Sequence, residues 1–501
     1  METENKGIIY KFLNGIEVAG NKMFDPISIF FLLCVCVVVL SGILAFFDVA
    51  AIHPRDGSTV NVINLMSKAE LQRYLSNIVS AFQGFPPMAL VLVVMIGVGV
   101  AEKSGLIDAA LHRAVSNVPK LIVTPVIVFI GLLSNIAGDA GFIVLPPLSA
   151  LVFLSVGRHP LIGLFASFAG VAAGFAANII IGLSDVLAAS FTIPAAQLID
   201  PSFQATPAMN YYFIAASTLL LVVVGTFITE KVIAPRFSKE EFSGFHKEKI
   251  TTSELEGKGL KWAVIVVVVY VVLIVALCFG SNPFLGDEKG SILGISSPLM
   301  RGTIPIITVL FLLPGLVYGK VAGTIKKDKD AVKMMGKSMS EMGPYIVLAF
   351  FASQFLALFT YSNLGIVIAI KGSDLLRAIG FMGGGLLVSF IILSAFINLF
   401  IGSASAKWAI LAPVFVPMFM LLGYDPALTQ MAYRIGDSIT NPISPLFPYL
   451  PIVLSYVAMY KKDSGIGTII SNMLPYSIAF FFAWTALLLV WFYLGIPLGT
   501  R

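Results

Sequence analysis

The chain has 501 residues, of which 58% are hydrophobic and only 12% charged. A soluble domain carries about a quarter charged residues, so this composition excludes one and describes a polytopic membrane protein. The net charge of +5 does not mark a nucleic-acid binder. Its basic residues concentrate in two short stretches beside apolar runs, Lys231 to Lys261 and Lys320 to Lys337, which the positive-inside rule places in the cytoplasm.

A span needs about 20 apolar residues, and the candidates thread through those two loops. The first runs from Ile27 to Phe47 and is too long for a cleavable leader, so the N-terminus is expected in the cytoplasm. A polar external segment over 49–83 follows, then a return from Met88 to Ala101 and an amphipathic surface piece over Leu106 to Val118. Residues 120–136 and 142–156 are each marginal as spans and read as a re-entrant hairpin, with its tip at Ser134 to Gly141. Residues 161–190 are too long for one helix and are interrupted by Gly174, Asn178, Gly182 and Asp185. Spans follow over 210–235, 261–280, 302–319 and 343–360. Residues 379–400 and 408–422 read as a second hairpin with Gly402 to Lys407 at its tip, and 427–460 as a second broken span. Residues 472–494 form the last span. The expected fold is all-α, with about nine transmembrane helices and two re-entrant hairpins.

The halves, divided as 1–260 and 261–501, are related by an ungapped shift of 266 residues. It pairs Ala140 with Ala406, Leu145 with Leu411, Pro147 with Pro413, Phe153 with Phe419, Gly157 with Gly423, Pro160 with Pro426 and Gly170 with Gly436. Hairpin 1 (about 120–156) enters from the cytoplasm and hairpin 2 (about 379–422) from outside, so the repeat is expected to be inverted. Inverted repeats with interrupted helices place a substrate midway across the bilayer, between the hairpin tips and the breaks.

Polar residues at that depth are costly unless they line a protein-enclosed cavity, so each is a candidate. Ser405 and Trp408 lie at the tip of hairpin 2, where backbone N–H groups and an indole are available to a ligand; the plainer alternative is a capping Ser and a packing Trp. Arg434 and Asp437 share a helix face, so Arg434 can hold a carboxylate while Asp437 neutralises it or carries a coupling ion. A purely structural ion pair is the alternative. Lys407 is either a second cation at the tip or a side chain reaching the interface. Asp139 and Asp185 are carboxylates in the first half's tip and broken span, fit for proton exchange or for Na⁺. Asn135, Asn178 and Asn441 are neutral partners at the breaks, with Na⁺ placed near Asn135 and Asp437. Pro442 and Pro445 hold the last broken helix open. No phosphate loop, nucleophile elbow or zinc motif is present in the sequence, which argues against ATP-driven transport and against an enzyme.

With Gly402 to Trp408, Tyr433-Arg434-Ile435-Gly436-Asp437-Ser438, Asn441 to Pro445, Gly174 to Asn178 and Asp185, the chain resembles the p-aminobenzoyl-glutamate transporter (AbgT) family nearly end to end. That resemblance implies nine transmembrane helices with two hairpins, assembled as a homodimer; the heavy apolar load suits a bacterial inner membrane. It implies a secondary transporter importing p-aminobenzoyl-glutamate or exporting sulfonamide antimetabolites. The functional set it carries over is Asp185, Ser405, Trp408, Pro426, Arg434, Asp437 and Pro445, with Pro426 as a hinge. The chemistry agrees: Arg434 suits a carboxylate and Trp408 a benzene ring. H⁺ is the favoured coupling ion and Na⁺ the alternative, with no cofactor. A Na⁺-coupled dicarboxylate symporter on the same fold is the runner-up, ahead of a passive channel.

Overall fold

The computed structural model describes residues 26–52, 57–116, 119–135, 140–237, 253–280, 283–288, 290–292, 297–444, 447–462 and 464–500. Asp139 and Pro445 lie outside them. Among the described residues, eight helices are long and apolar enough to cross a membrane.

Helix α1 (Pro26–Phe46) is followed by a two-stranded antiparallel hairpin, β1 (Ala50–Ile52) and β2 (Thr59–Asn61), pairing Ala51 with Val60. The segment read simply as polar and external also holds a helix, α2 (Lys68–Gln83), capped by Ser67. Its polar residues recur on one face, so its mean hydropathy hides a helix. Helices α3 (Pro86–Lys103) and α4 (Leu106–Ser116) follow, the latter the expected amphipathic piece. Helices α5 (Val123–Ser134) and α6 (Ala140–Ser155) are the arms of hairpin 1. Helix α7 (Pro160–Phe168) ends in a π turn over Ala169–Ala173, and the chain is then irregular until α8 (Leu183–Gln197). Helices α9 (Tyr211–Ile228), α10 (Glu254–Ala276), α11 (Thr303–Ala322), α12 (Asp328–Glu341) and α13 (Gly343–Tyr361) come next.

Helix α14 (Leu364–Ala378) had no counterpart in the sequence reading, because Lys371, Asp374 and Arg377 depress its hydropathy below that of a span. Hairpin 2 is α15 (Gly384–Asn398) and α16 (Ala404–Leu421). Its first arm starts later than residue 379 because Gly380 and Gly383 adopt φ of 67° and 71°, outside the helical region. Its second starts earlier than 408 because Ser403 accepts the Ala406 N–H and caps it. The second broken span is α17 (Pro426–Thr440), a tight turn over Asn441–Ile443, and α18 (Leu450–Tyr460). Helix α19 (Ile466–Tyr493) closes the chain.

The two halves turn in the same way. After hairpin 1, Gly157 takes φ 76°, with Gly157 N–H bonded to Leu154 O and Arg158 N–H to Phe153 O. After hairpin 2, Gly423 takes φ 88°, with Gly423 N–H on Met420 O and Tyr424 N–H on Phe419 O. Each left-handed glycine ends one helix and releases its last carbonyls to the following amides. Two residues on, His159 and Asp425 cap the next helices by accepting the Leu161 and Ala427 N–H groups. Pro160 and Pro426 then occupy the first helical turn, where a missing N–H costs nothing. Pro426 therefore begins a helix and does not kink one.

Close backbone approach is repeated as well. A Cβ on Gly170 would lie 2.7 Å from Val128 O, and one on Gly436 would lie 2.3 Å from Ile391 O. Each glycine lets a broken helix press onto the first arm of its own hairpin, the small-residue packing that substitutes for the hydrophobic effect inside a bilayer. Gly436→Val is expected to cost at least the roughly 1–3 kcal/mol of overpacking, seen as a lower Tm and a loss of the monodisperse peak in detergent.

An exposed-side anchor holds hairpin 1 in place. Arg158, after its second arm, forms a bidentate pair with Glu230 at the end of α9 (2.7 and 2.9 Å), and both reach Thr124 at the start of the first arm.

Candidate functional site

The two broken helices cross at their breaks. The Ala176 N–H donates to Ser438 Oγ (3.1 Å), and Asn441 Nδ2 donates to Ala172 O (3.3 Å). The hydrogen bonds that each helix lost at its break are thus partly replaced by the other.

Arg434 lies in the middle of α17 and is buried. Its Nη1 donates to Asp185 Oδ1 at 2.7 Å, and Nη2 lies 3.4 Å from Ser184 Oγ. Asp185 is in the first turn of α8, where Oδ2 accepts the Gly182 N–H at 2.7 Å. This carboxylate is therefore held by a guanidinium and a helix N-terminus together. Asp185 is buried, with 2% of its surface exposed.

The expected neutralisation of Arg434 by Asp437 is corrected by the structure. Spacing put both on one face, but Asp437 turns to hairpin 2. Its Oδ1 lies 2.5 Å from Lys407 Nζ, with both side chains buried. Lys407 does not reach for the interface; it points inward and also donates to Asn398 Oδ1. Asn398 Nδ2 lies 2.6 Å from Asp437 O, 2.9 Å from Thr440 Oγ1 and 2.9 Å from Asn441 Oδ1. Two buried ion pairs stand where one was expected, and each ties α17 to a different element. A carboxylate and a cation that both leave water need their partner closely, and these pairs satisfy that condition.

Trp408 is buried at the start of α16, stacked on Tyr433 with ring centroids 4.5 Å apart and planes 19° apart. Its indole N–H donates to Thr192 Oγ1 (2.9 Å) and Ala188 O (3.1 Å) on α8. Tyr433 OH donates to Ala404 O at 2.6 Å and lies 3.4 Å from Asp437 Oδ1. Ser405 is partly exposed at the tip, its hydroxyl 3.3 Å from that of Ser403. Pro442 is buried in the break.

The asparagines serve the breaks. Asn178 Oδ1 accepts the Ile179 and Ile180 N–H groups, while its buried Nδ2 has no partner among the described residues. Asn135 Nδ2 donates to Val171 O at 3.0 Å, and its buried Oδ1 likewise has none. The structure thus joins Asp185, Arg434, Asp437, Trp408 and Asn441 through α17. It leaves Asn178 and Asn135 at the first half's break and Pro426 at the far end of α17.

Sequence reasoning missed Asn398, Gln430 and Thr192. Gln430 Nε2 donates to Thr192 Oγ1 at 2.7 Å and its Oε1 accepts from Asn210. An Asn or Gln inside an apolar helix was the available signal, weaker than a charge because an amide is tolerated in many packing roles. A cavity of about 550 Å³, lined by Met209, Tyr424, Asp425, Leu428 and Trp491 among others, includes none of the ion-pair residues. In this conformation both ion pairs are enclosed by protein.

The family model for the AbgT putative transporter family matches residues 11–501. The chain belongs to this family. It is 38% identical over 490 residues, 98% of its own length and 96% of the relative's, to the p-aminobenzoyl-glutamate transport protein of Escherichia coli K12. Solved AbgT-family structures share the fold. The Alcanivorax borkumensis YdaH transporter superposes with a TM-score of 0.91 at 38% identity, covering 95% of this chain and 99% of that one. Neisseria gonorrhoeae MtrF, of a class of antimetabolite efflux pumps, gives 0.90 at 41% identity, covering 96% and 98%. The all-α membrane architecture and the transporter family read from the sequence are both borne out.

Proposed function

We propose that this chain is a secondary active transporter of p-aminobenzoyl-glutamate and related p-aminobenzoate compounds, with sulfonamide export as a further activity, driven by an ion gradient. The observation that carries this reading is the buried Arg434–Asp185 pair joining α17 to α8, with Trp408 stacked on Tyr433 of α17 and hydrogen-bonded to α8. A substrate carboxylate is chemically equivalent to the Asp185 side chain and can take its place on the guanidinium. The p-aminobenzoyl ring adds to the Trp408–Tyr433 stack. Ser405, Asn441, Pro442, Pro445 and Asn178 are assigned to substrate binding with them, and Pro426, at the start of α17, to the hinge between hairpin 2 and that helix.

Displaced from Arg434, Asp185 keeps the Gly182 N–H but loses its compensating charge, a cost that uptake of a proton would remove. That exchange links substrate to H⁺, our favoured coupling ion, with Asp139 as a further carboxylate assigned to coupling; Asp437, expected to share that role, is instead paired with Lys407. Na⁺ is the second reading, favoured by Asn135 Oδ1 at the tip of hairpin 1, which has no partner among the described residues. We infer transport and not catalysis, in a homodimer of the bacterial inner membrane with the N-terminus in the cytoplasm. The halves 1–260 and 261–501 are inverted repeats whose hairpins and broken helices slide as one unit.

The test is movement of p-aminobenzoyl-glutamate into proteoliposomes under pH and Na⁺ gradients imposed separately. Accumulation under one gradient establishes the reading and names the ion. Competition by succinate or citrate but not by aromatic amides would reassign the chain as a dicarboxylate symporter; conductance without accumulation would make it a channel. Trp408→Ala is expected to weaken aromatic cargo more than aliphatic cargo, by about 0.5–1.5 kcal/mol for the lost stacking, read from competition binding. An equal loss on both would mean that Trp408 only packs.

A further inference from the structure

The two hairpin tips carry the same amide contact. Asn135 ends the first arm of hairpin 1 and donates to Val171 O; Asn398 ends the first arm of hairpin 2 and donates to Asp437 O. Val171 and Asp437 are 266 residues apart, the register that relates the halves. The remaining oxygens differ. Asn398 Oδ1 receives the ammonium of Lys407, which also sits on Asp437 Oδ1. Asn135 Oδ1 receives nothing among the described residues.

The reason is one position on the second arm. The residue in Lys407's register is Gly141, where a Cβ would stand 2.2 Å from Ser134 Oγ, so no side chain fits there. At that position the first half has no room to root a lysine. The second half roots one and surrounds its ammonium with carboxylate and amide oxygens. Such an oxygen set also suits a hard metal cation.

Building on the ion-coupled reading above, we propose that Lys407 is a covalently tethered cation occupying a Na⁺-type locus at the tip of hairpin 2. The second half then needs no mobile ion, and Asp437 accepts Na⁺ only when Lys407 is absent. A negative charge at Asp437 is compensated at every stage of the cycle, by the protein itself. Lys407 thereby becomes a residue that sets how many mobile cations accompany each substrate.

The test reads ion binding without transport, so this assignment and the transport reading fail separately. Thermal unfolding of the purified full-length protein in detergent is followed while NaCl replaces choline chloride at constant ionic strength. Lys407→Ala is expected to gain a Na⁺-dependent rise in Tm, on the order of 5 °C, beyond any wild-type response. Lys407→Ala/Asp437→Asn should lose that gain. Recovery of Lys407→Ala in Na⁺ but not in choline would be the same result in a stronger form. An unchanged cation response, or recovery only when Asp437 is also neutralised, would overturn the proposal. Asp437→Asn alone supplies an arm that keeps the lysine. It should leave the wild-type Na⁺ response intact, and its loss there would show Na⁺ already bound at Asp437.

Discussion

Arg434→Ala is expected to weaken p-aminobenzoyl-glutamate binding by at least about 10-fold and to abolish its gradient-driven transport. Hydrogen bonds to a charged partner contribute about 1.5–3 kcal/mol, which is roughly a 10- to 100-fold loss in affinity. The single substitution also strands Asp185 in a buried site, where breaking an ion pair costs about 3–5 kcal/mol of stability. Poor folding and lost binding must therefore be separated. Arg434→Ala/Asp185→Ala removes both charges and should recover the Tm while leaving binding weak. Binding is followed by quenching of intrinsic Trp fluorescence and transport by uptake of labelled substrate. Unchanged affinity in either variant would remove Arg434 from the site.

Asp185→Asn should separate binding from coupling. The asparagine keeps an oxygen for the Gly182 N–H that Asp185 now accepts at 2.7 Å, so the start of α8 is preserved. It no longer offers an anion to Arg434, so the guanidinium is left open to the substrate. The expected result is counterflow exchange at near wild-type rates with accumulation under a pH gradient reduced at least 10-fold. Persistent gradient-driven accumulation in both Asp185→Asn and Asp437→Asn would mean that neither carboxylate carries the driving ion.

The parts of this fold that were legible in advance have local causes. Gly157 and Gly423 announce helix ends because only glycine accepts φ of 76° and 88° without strain. Pro160 and Pro426 then mark the starts of α7 and α17 because proline is suited to a first turn. Both broken spans were visible as apolar runs too long for one helix and interrupted by Gly, Asn or Pro. Helix α14 was not visible because its three charged residues dilute the hydropathy on which a span reading depends. Several of the residues that α17 brings together were singled out in advance, yet their connectivity was not: Arg434 and Asp437 are neighbours on one helix, and the natural inference was that they pair.

Hydrophobic run length, capping residues and glycine conformations act over a few residues, so the sequence by itself determined the membrane class and marked where the two over-long apolar runs are interrupted. Ion pairing is decided by distance in space and by what else is buried nearby. Arg434 meets Asp185, 249 positions away, and Lys407 meets Asp437 across the tip of hairpin 2. A buried charge takes the partner that approaches it most closely with its hydrogen bonds satisfied, and only the tertiary structure brings those partners together.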